Sequence, residues 1–157
     1  SKRDGEYHLC AAGDQKDTFE ITLNTSSRTL AGANVLEKPQ QEGEVFKIQV
    51  DQIDNLVSPD TLADGALIKC DVQGGDLRAL KGAVATLQKC EIVIVESSLF
   101  NKKNHIRDII NFMDGEGFDP YEFFSPLNRP YDNAQAQIDV AFAKRTSALY
   151  QFRGWSN

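Results

Sequence analysis

The chain lacks long apolar runs and has no surplus of basic residues. A helix that crosses a bilayer needs roughly 20 apolar residues, and no stretch of this sequence approaches that length. Lys and Arg together number 17 against 23 Asp and Glu, which gives a net charge of −6. Nucleic acids and anionic membranes are bound through clustered cations. We therefore expect a soluble protein that binds neither nucleic acid nor membrane.

Cysteine is also scarce, and its spacing excludes common uses of the thiol. Cys10, Cys70 and Cys90 form an odd set without the spacing of a metal site. An odd number of widely separated cysteines gives no disulfide framework. We interpret all three as buried, reduced thiols in a cytoplasmic protein and expect no bound metal; a metal or redox role is the alternative.

The length sets the number of domains. The chain has 157 residues, and 41% of them are hydrophobic. That is enough to bury one core but too little for two. We predict a single domain over residues 1–157.

The most informative segment, from Ile68 to Ala83, reads IKCDVQGGDLRALKGA. Ala66 to Cys70 and Ile92 to Val95 are short runs with branched apolar residues, which predicts two parallel strands covered on both faces. Apolar residues between them recur at helical spacing, at Leu77, Leu80, Val84 and Leu87. The pattern therefore predicts a strand, a crossover helix and a second strand.

A glycine turn joins the first of these strands to the helix. Gly74 and Gly75 permit a sharp turn, and Asp76 suits the first turn of a helix, where the helix dipole favours a carboxylate. Asp71 and Glu96 follow the two strands at their carboxyl ends. Open α/β sheets bind their ligands at that edge, so we expect a site there.

Weaker patterns predict the remaining elements. Strands are predicted at Tyr7–Ala12, Thr18–Leu23, Val45–Val50, Tyr121–Phe124 and Ile138–Ala143. The last two flank a loop over 125–137 and are expected to pair antiparallel. Asn104 is the predicted cap of a helix with an apolar stripe, which ends near Gly115 and Gly117.

Five short blocks occur in a fixed order: KCDVQGGDL from Lys69, LKGA from Leu80, IVE from Ile94, GF from Gly117 and QIDVAF from Gln137. In sequence, order and spacing they resemble the FkbM-type S-adenosylmethionine-dependent methyltransferases. The resemblance extends over roughly residues 7–145 and implies a class I, Rossmann-like α/β fold. Its sheet would be seven-stranded and mostly parallel, with one reversed strand near the carboxyl terminus.

The resemblance also implies an activity. Members of this family are generally O-methyltransferases that use S-adenosyl-L-methionine and often methylate hydroxyls of sugars or natural products. The expected partner is thus a small-molecule or saccharide acceptor. A different nucleotide-binding α/β enzyme, such as a dehydrogenase, is the alternative enzyme class, although none of the five blocks favours it.

The family's main cofactor motif has no counterpart in this sequence. Neither Ala11–Asp14 (AAGD) nor Leu30–Ala33 (LAGA) makes a glycine-rich fingerprint between a strand and a helix. We therefore expect the carboxyl-terminal portion of a methyltransferase domain, without activity of its own. The two strands that lack a counterpart would lie between the Tyr7 strand and the Lys69 strand, which predicts an exposed sheet edge. We expect the chain to form a homo-oligomer through that edge, to repack its amino-terminal strands or to be poorly soluble. A non-catalytic fragment or partner-binding α/β module is the alternative.

Three charged residues are the catalytic candidates: Asp71, Lys69 and Glu96. Alternation along the strand places Lys69 and Asp71 on one side, where Asp71 could orient an acceptor hydroxyl and Lys69 could hold an acceptor oxygen. The alternative is an ion pair among the three that only holds the strand ends.

Residues of two turns are the cofactor candidates: Ala12, Gly13, Asp14, Asp71, Gln73 and Gly74. The first three match the family's turn after its third strand, and a plain turn explains them nearly as well. Gln73 and Gly74 have the alternative role of shaping the glycine turn. In the 125–137 loop, Arg129 and Tyr131 are the substrate-binding candidates, because loops at a sheet edge usually set specificity.

Overall fold

The computed structural model describes residues 5–23, 44–102 and 104–150. The strands are β1 (Ala11–Ala12), β2 (Asp17–Leu23), β3 (Glu44–Asp51), β4 (Ala66–Cys70), β5 (Cys90–Ser98), β6 (Phe118–Asn128) and β7 (Gln135–Lys144). The α-helices are α1 (Ile53–Leu56), α2 (Asp76–Lys81), α3 (Val84–Leu87) and α4 (Ile106–Gly115). Short 3₁₀ turns lie at Pro59–Thr61 and Ala148–Tyr150. The Leu30–Ala33 segment lies outside the described residues.

Four strands form the main sheet, in the order β4-β5-β7-β6. β4 and β5 are parallel, as predicted, and β7 runs antiparallel to both of its neighbours. The expected α/β fold and reversed strand are therefore present, but the prediction of a mostly parallel sheet is wrong. β6 and β7 follow each other through a short connection, and a hairpin of that kind can only pair antiparallel.

A separate three-stranded sheet has the order β1-β3-β2. β2 and β3 pair antiparallel along their length, whereas β1 contributes only Ala11 and Ala12, paired with the end of β3. The predicted strand over Tyr7–Ala12 is wrong for residues 7–10, because only Ala11 and Ala12 are in a strand. Tyr7 and Leu9 are 88% and 96% exposed, so no sheet face buries them.

The helices α2, α3 and α4 pack on one face of the main sheet and enclose the core with it. Its largest fully buried apolar side chains are Phe118, Phe142, Leu80, Leu87, Ile109, Met113, Val93, Val95 and Val140. The predicted crossover helix is interrupted after Lys81, so it becomes α2 and α3. The predicted apolar stripe still faces the sheet through Leu80 and Leu87, while Val84 is 40% exposed.

Asp54 of α1 supplies the missing hydrogen bonds at the start of α3. Its carboxylate accepts from the backbone N–H groups of Ala85 and Thr86, both at 2.8 Å, and from the Thr86 hydroxyl at 2.6 Å. A helix start has free N–H donors, which a capping carboxylate satisfies. A residue distant in sequence therefore caps α3.

Gly82 brings the backbone between α2 and α3 against the small sheet. A Cβ atom at Gly82 would lie 1.9 Å from the carbonyl oxygen of Gly13. That distance is too short for any side chain to fit. The Asp54 N–H donates to the Gly82 carbonyl at 3.0 Å. The close contact of Gly82 is thus with the turn after β1.

The other face of the main sheet carries an open apolar groove of about 450 Å³. Its lining includes Leu67, Ile92, Ile94, Tyr121 and Phe124. β4 forms one edge of this sheet, and Leu67 is 58% exposed. The expectation that β4 is covered on both faces is therefore wrong. Within the part of the chain that the structure describes, no helix is long and apolar enough to span a membrane.

Candidate functional site

The glycine turn between β4 and α2 closes on the side chain of Asp76. The Asp76 carboxylate is fully buried and accepts from the backbone N–H groups of Val72 at 3.1 Å and Gly74 at 3.2 Å. Two residues of this turn have positive φ angles, Gln73 with 53° and Gly74 with 96°. Left-handed backbone favours glycine, which supports the alternative role of Gly74 in shaping this turn. Its role in cofactor binding stays a prediction.

Asn104 joins this turn to the end of β5. Its side-chain N–H groups donate to Asp76 Oδ2 at 2.9 Å and to the Glu96 carbonyl at 3.1 Å, and its Oδ1 accepts from the Leu77 N–H at 3.2 Å. Asn104 is only 2% exposed. The prediction that it caps α4 is wrong, because His105 is the N-cap and accepts from the Arg107 N–H.

Lys69 and Asp71 form an ion pair at the carboxyl end of β4. The Lys69 ammonium donates to Asp71 Oδ2 at 2.8 Å, and the Gln73 side-chain amide donates to Asp71 Oδ1 at 3.1 Å. The bond from Lys69 lowers the pKa of Asp71, and the same bond raises the pKa of Lys69. Both side chains are nearly half exposed. The buried position predicted for Lys69 is wrong, because β4 is an edge strand.

Glu96 lies near this pair, towards the end of β5. In the sheet register it is opposite Asp139 of β7, and its Oε1 accepts from the side-chain amide of Gln137 at 3.1 Å. Burial raises the pKa of Glu96, and the carboxylates of Asp71, Asp76 and Asp139 raise it further. Glu96 thus binds a proton more readily than an exposed glutamate, whereas Asp71 stays ionised to lower pH.

The raised pKa of Glu96 predicts a pH-dependent stability. Folding favours protonated Glu96, so its contribution is complete below the unfolded pKa and is lost as pH rises through the higher folded pKa. Glu96→Gln keeps the acceptor for Gln137 but cannot ionise. Relative to the parent, we expect it to gain stability in urea unfolding as the pH rises above the ordinary pKa of a glutamate. A stability difference that does not change with pH would contradict the raised pKa.

The other cofactor candidates lie at the end of β1 and in the turn after it. Ala12 of β1 packs against the core. Arg78 of α2 donates twice to Asp14 Oδ1, at 2.9 and 2.7 Å, and this bonding lowers the pKa of Asp14. Gly13 is buried against Val50, where an added Cβ would lie 2.5 Å from a methyl group. The plain-turn alternative thus accounts for the contacts of Gly13 and Asp14.

Two cavities in the described part of the chain contain none of the cofactor candidates. One is the apolar groove, and the other, of about 300 Å³, lies around Lys89, Glu91 and Lys144. The cofactor roles of these candidates therefore stay predictions.

Arg129 and Tyr131 lie in the short connection between β6 and β7. The predicted loop is about half as long as expected, because β6 continues to Asn128 and β7 begins at Gln135. Arg129 pairs with Asp132 and stacks over the Phe100 ring at 3.9 Å from its centroid. Tyr131 is 95% exposed. Arg129 therefore holds the hairpin tip, and the substrate-binding role of both residues stays a prediction.

Sequence reasoning missed Asn104 and Asp139 as members of this site. Asp139 lies in the QIDVAF block, and its pairing opposite Glu96 follows only from the β5–β7 register. Asn104 carried no signal beyond its position before a helix. The predicted burial of the thiols is confirmed for two of the three. Cys70 and Cys90 are buried, and burial raises the pKa of both, while Cys10 is half-buried.

The fold and these residues define an α/β domain with charged groups at the carboxyl ends of its parallel strands. Residues 1–120 match the model of the methyltransferase FkbM domain. The match covers more than half of the chain, so the chain belongs to the FkbM methyltransferase family. No curated protein and no solved structure matches it significantly. The block at Gln137 lies beyond the matched residues, so its part in the resemblance stays a prediction.

Proposed function

We propose that this chain is the acceptor-binding part of an S-adenosylmethionine-dependent O-methyltransferase, acting on a hydroxyl of a sugar or natural product. The observation that carries the proposal is the grouping of Lys69, Asp71 and Glu96 at the carboxyl ends of a parallel strand pair. Membership of the FkbM family supports the reaction class. The acceptor class rests on the resemblance alone.

Each of the three charged groups suits a different role in the methylation of a hydroxyl. Methylation of a hydroxyl oxygen releases one proton, which a nearby base must accept. Glu96 suits this role because burial and the neighbouring carboxylates raise its pKa, which makes it a stronger base than an exposed glutamate. Asp71 stays an anion beside Lys69, so it suits the orientation of the hydroxyl, and Lys69 suits contact with an acceptor oxygen. Orientation of this kind lowers the barrier to in-line transfer.

The cofactor site is proposed to be completed at the free edge of β4. This edge adjoins the glycine turn and has no strand beside it among the described residues. An added strand there would hydrogen-bond to β4 and place new backbone next to Asp71, Gln73 and Gly74. We propose elements outside the described residues, or a second copy, as the source of that strand.

Titration calorimetry with S-adenosylhomocysteine tests this function directly. Binding near one per chain would mean that the chain alone or as an oligomer completes the site. Asp71→Asn should then weaken binding at least about tenfold, a typical loss for a charged hydrogen bond, while Asp60→Asn at an exposed position should not. Failure to bind would confine the proposal to a longer protein, and binding unaffected by Asp71→Asn would remove the glycine turn from the site.

A second candidate function is a non-catalytic module that binds a partner through β4. The exposed edge and the 58% exposure of Leu67 favour it. We take a second copy of this chain as the occupant, since an unpaired strand can pair with its own kind. Light scattering over a range of concentrations should show a dimer that Leu67→Lys dissociates. A monodisperse monomer with a cooperative melt would rule it out.

A further inference from the structure

We propose that Asn104 is a positioning residue, which locks the glycine turn against the end of β5 and thereby fixes Asp71 relative to Glu96. The inference builds on the proposed function because it takes these two carboxylates as the site. Its structural content, a lock between two segments, does not depend on any ligand. Neither the family resemblance nor the charge pattern singles out Asn104.

The hydrogen bonds of Asn104 connect two segments of the chain, the start of α2 and the end of β5. One amide N–H reaches Asp76 Oδ2 and the other reaches the carbonyl of Glu96, while the amide oxygen accepts from Leu77 at the start of α2. Asn104 is almost fully buried, with 2% of its surface exposed. In the interior, water cannot replace these partners, so each lost bond is costly. The arrangement is thus a specific lock.

The lock reaches the catalytic candidates through Asp76. Its carboxylate accepts from the Val72 and Gly74 N–H groups, which stand on either side of Gln73. Asp71 directly precedes Val72, so its position follows that of the turn. On the other side, the Glu96 carbonyl is held by the same Asn104 amide group. One side chain therefore sets the relative position of two segments that come from different strands.

Only a carboxamide satisfies these partners at this size. A carboxylate at residue 104 would face the Asp76 carboxylate and the Glu96 carbonyl, where two donors are required. An aliphatic side chain would leave the Leu77 N–H and one Asp76 oxygen with fewer partners. The donor and acceptor ends of Asn104 are thus both used.

Amide hydrogen exchange followed by NMR tests the lock. In the parent chain we expect protection at the Val72, Gly74 and Leu77 amides. Asn104→Ala should accelerate their exchange at least about tenfold beyond any change in global stability, as local opening does. Asp54→Ala is the matched control, because it removes a cap elsewhere and should accelerate Ala85 and Thr86 instead.

The effect on the site is measured by electrostatic coupling. Asp71 raises the pKa of Glu96, so Asp71→Asn should lower it in a carbon-detected NMR titration. In an Asn104→Ala background the same substitution should change the pKa of Glu96 by a smaller amount, because the turn is no longer held. The other charged groups near Glu96, Lys69, Asp76 and Asp139, are the same in all four proteins.

Two results would overturn the proposal. Coupling between Asp71 and Glu96 that is unchanged by Asn104→Ala would show that other contacts position the turn. If Asn104→Ala does not fold, the parent chain provides the test. Unprotected Val72, Gly74 and Leu77 amides there would show that Asn104 does not hold the turn. Neither measurement uses a cofactor, so a failure to bind S-adenosylhomocysteine leaves this test intact.

Discussion

Gly82→Ala is expected to destabilise the chain by about 3 kcal/mol or more, a large value for one methyl group. The new Cβ would lie 1.9 Å from the Gly13 carbonyl oxygen and 3.2 Å from the Cα atom of Gln52. Both are backbone atoms, which cannot rotate away as a side chain can. The small sheet would have to move off the helix layer. Urea unfolding followed by circular dichroism measures the loss.

Gly115→Ala is the matched control for this substitution. Gly115 is the last residue of α4, and an added Cβ would meet no atom within 4 Å. Alanine in place of an unstrained helical glycine usually adds up to about 1 kcal/mol. The two variants should therefore shift the unfolding midpoint in opposite directions. Equal midpoints for both would refute the close contact at Gly82.

Asp76→Ala is expected to cost ~3–5 kcal/mol, because it leaves several buried donors without an acceptor. The Val72 and Gly74 N–H groups and the Asn104 amide all donate to this carboxylate. Asp76→Asn keeps one acceptor oxygen, so it should lose less. Denaturant unfolding at neutral pH ranks the variants, and Asp60→Ala, at an exposed aspartate, should stay within about 0.5 kcal/mol of the parent.

An Asp76→Ala loss no greater than that of Asp60→Ala would mean that the turn forms without its central carboxylate. Asp76 would then act only through the dipole of α2. The larger loss that we expect would show that the glycine turn depends on its buried carboxylate.

The elements that the sequence predicted well are those with a local pattern. β4, β5 and α4 each carry their period in consecutive residues, and the parallel pairing of β4 with β5 follows from the crossover between them. The antiparallel pairing of β6 with β7 follows from their adjacency in the chain. Hydrophobic periodicity and short connections thus sufficed for most of the main sheet.

The misjudged elements depend on contacts between distant residues. The length of β6 was underestimated because Pro120 and Pro126 argue against a strand, yet an edge strand tolerates both. The helix break at Gly82 follows from the approach of Gly13, which no periodicity in α2 announces. In the site, the types of the charged residues were predictable, but the bonds of Asn104 and the exposure of β4 required the tertiary structure.

The capping of α3 by Asp54 couples the unfolding of the small sheet to that of the helix layer on the main sheet. A helix of four residues has no stability of its own, because forming its first turn is unfavourable. Its first amides are held by α1, which directly follows β3 of the small sheet. Detachment of the small sheet would therefore unwind α3 and uncover Leu87 of the core. We therefore expect the small sheet and the helical layer to unfold together, with a single transition in thermal melting.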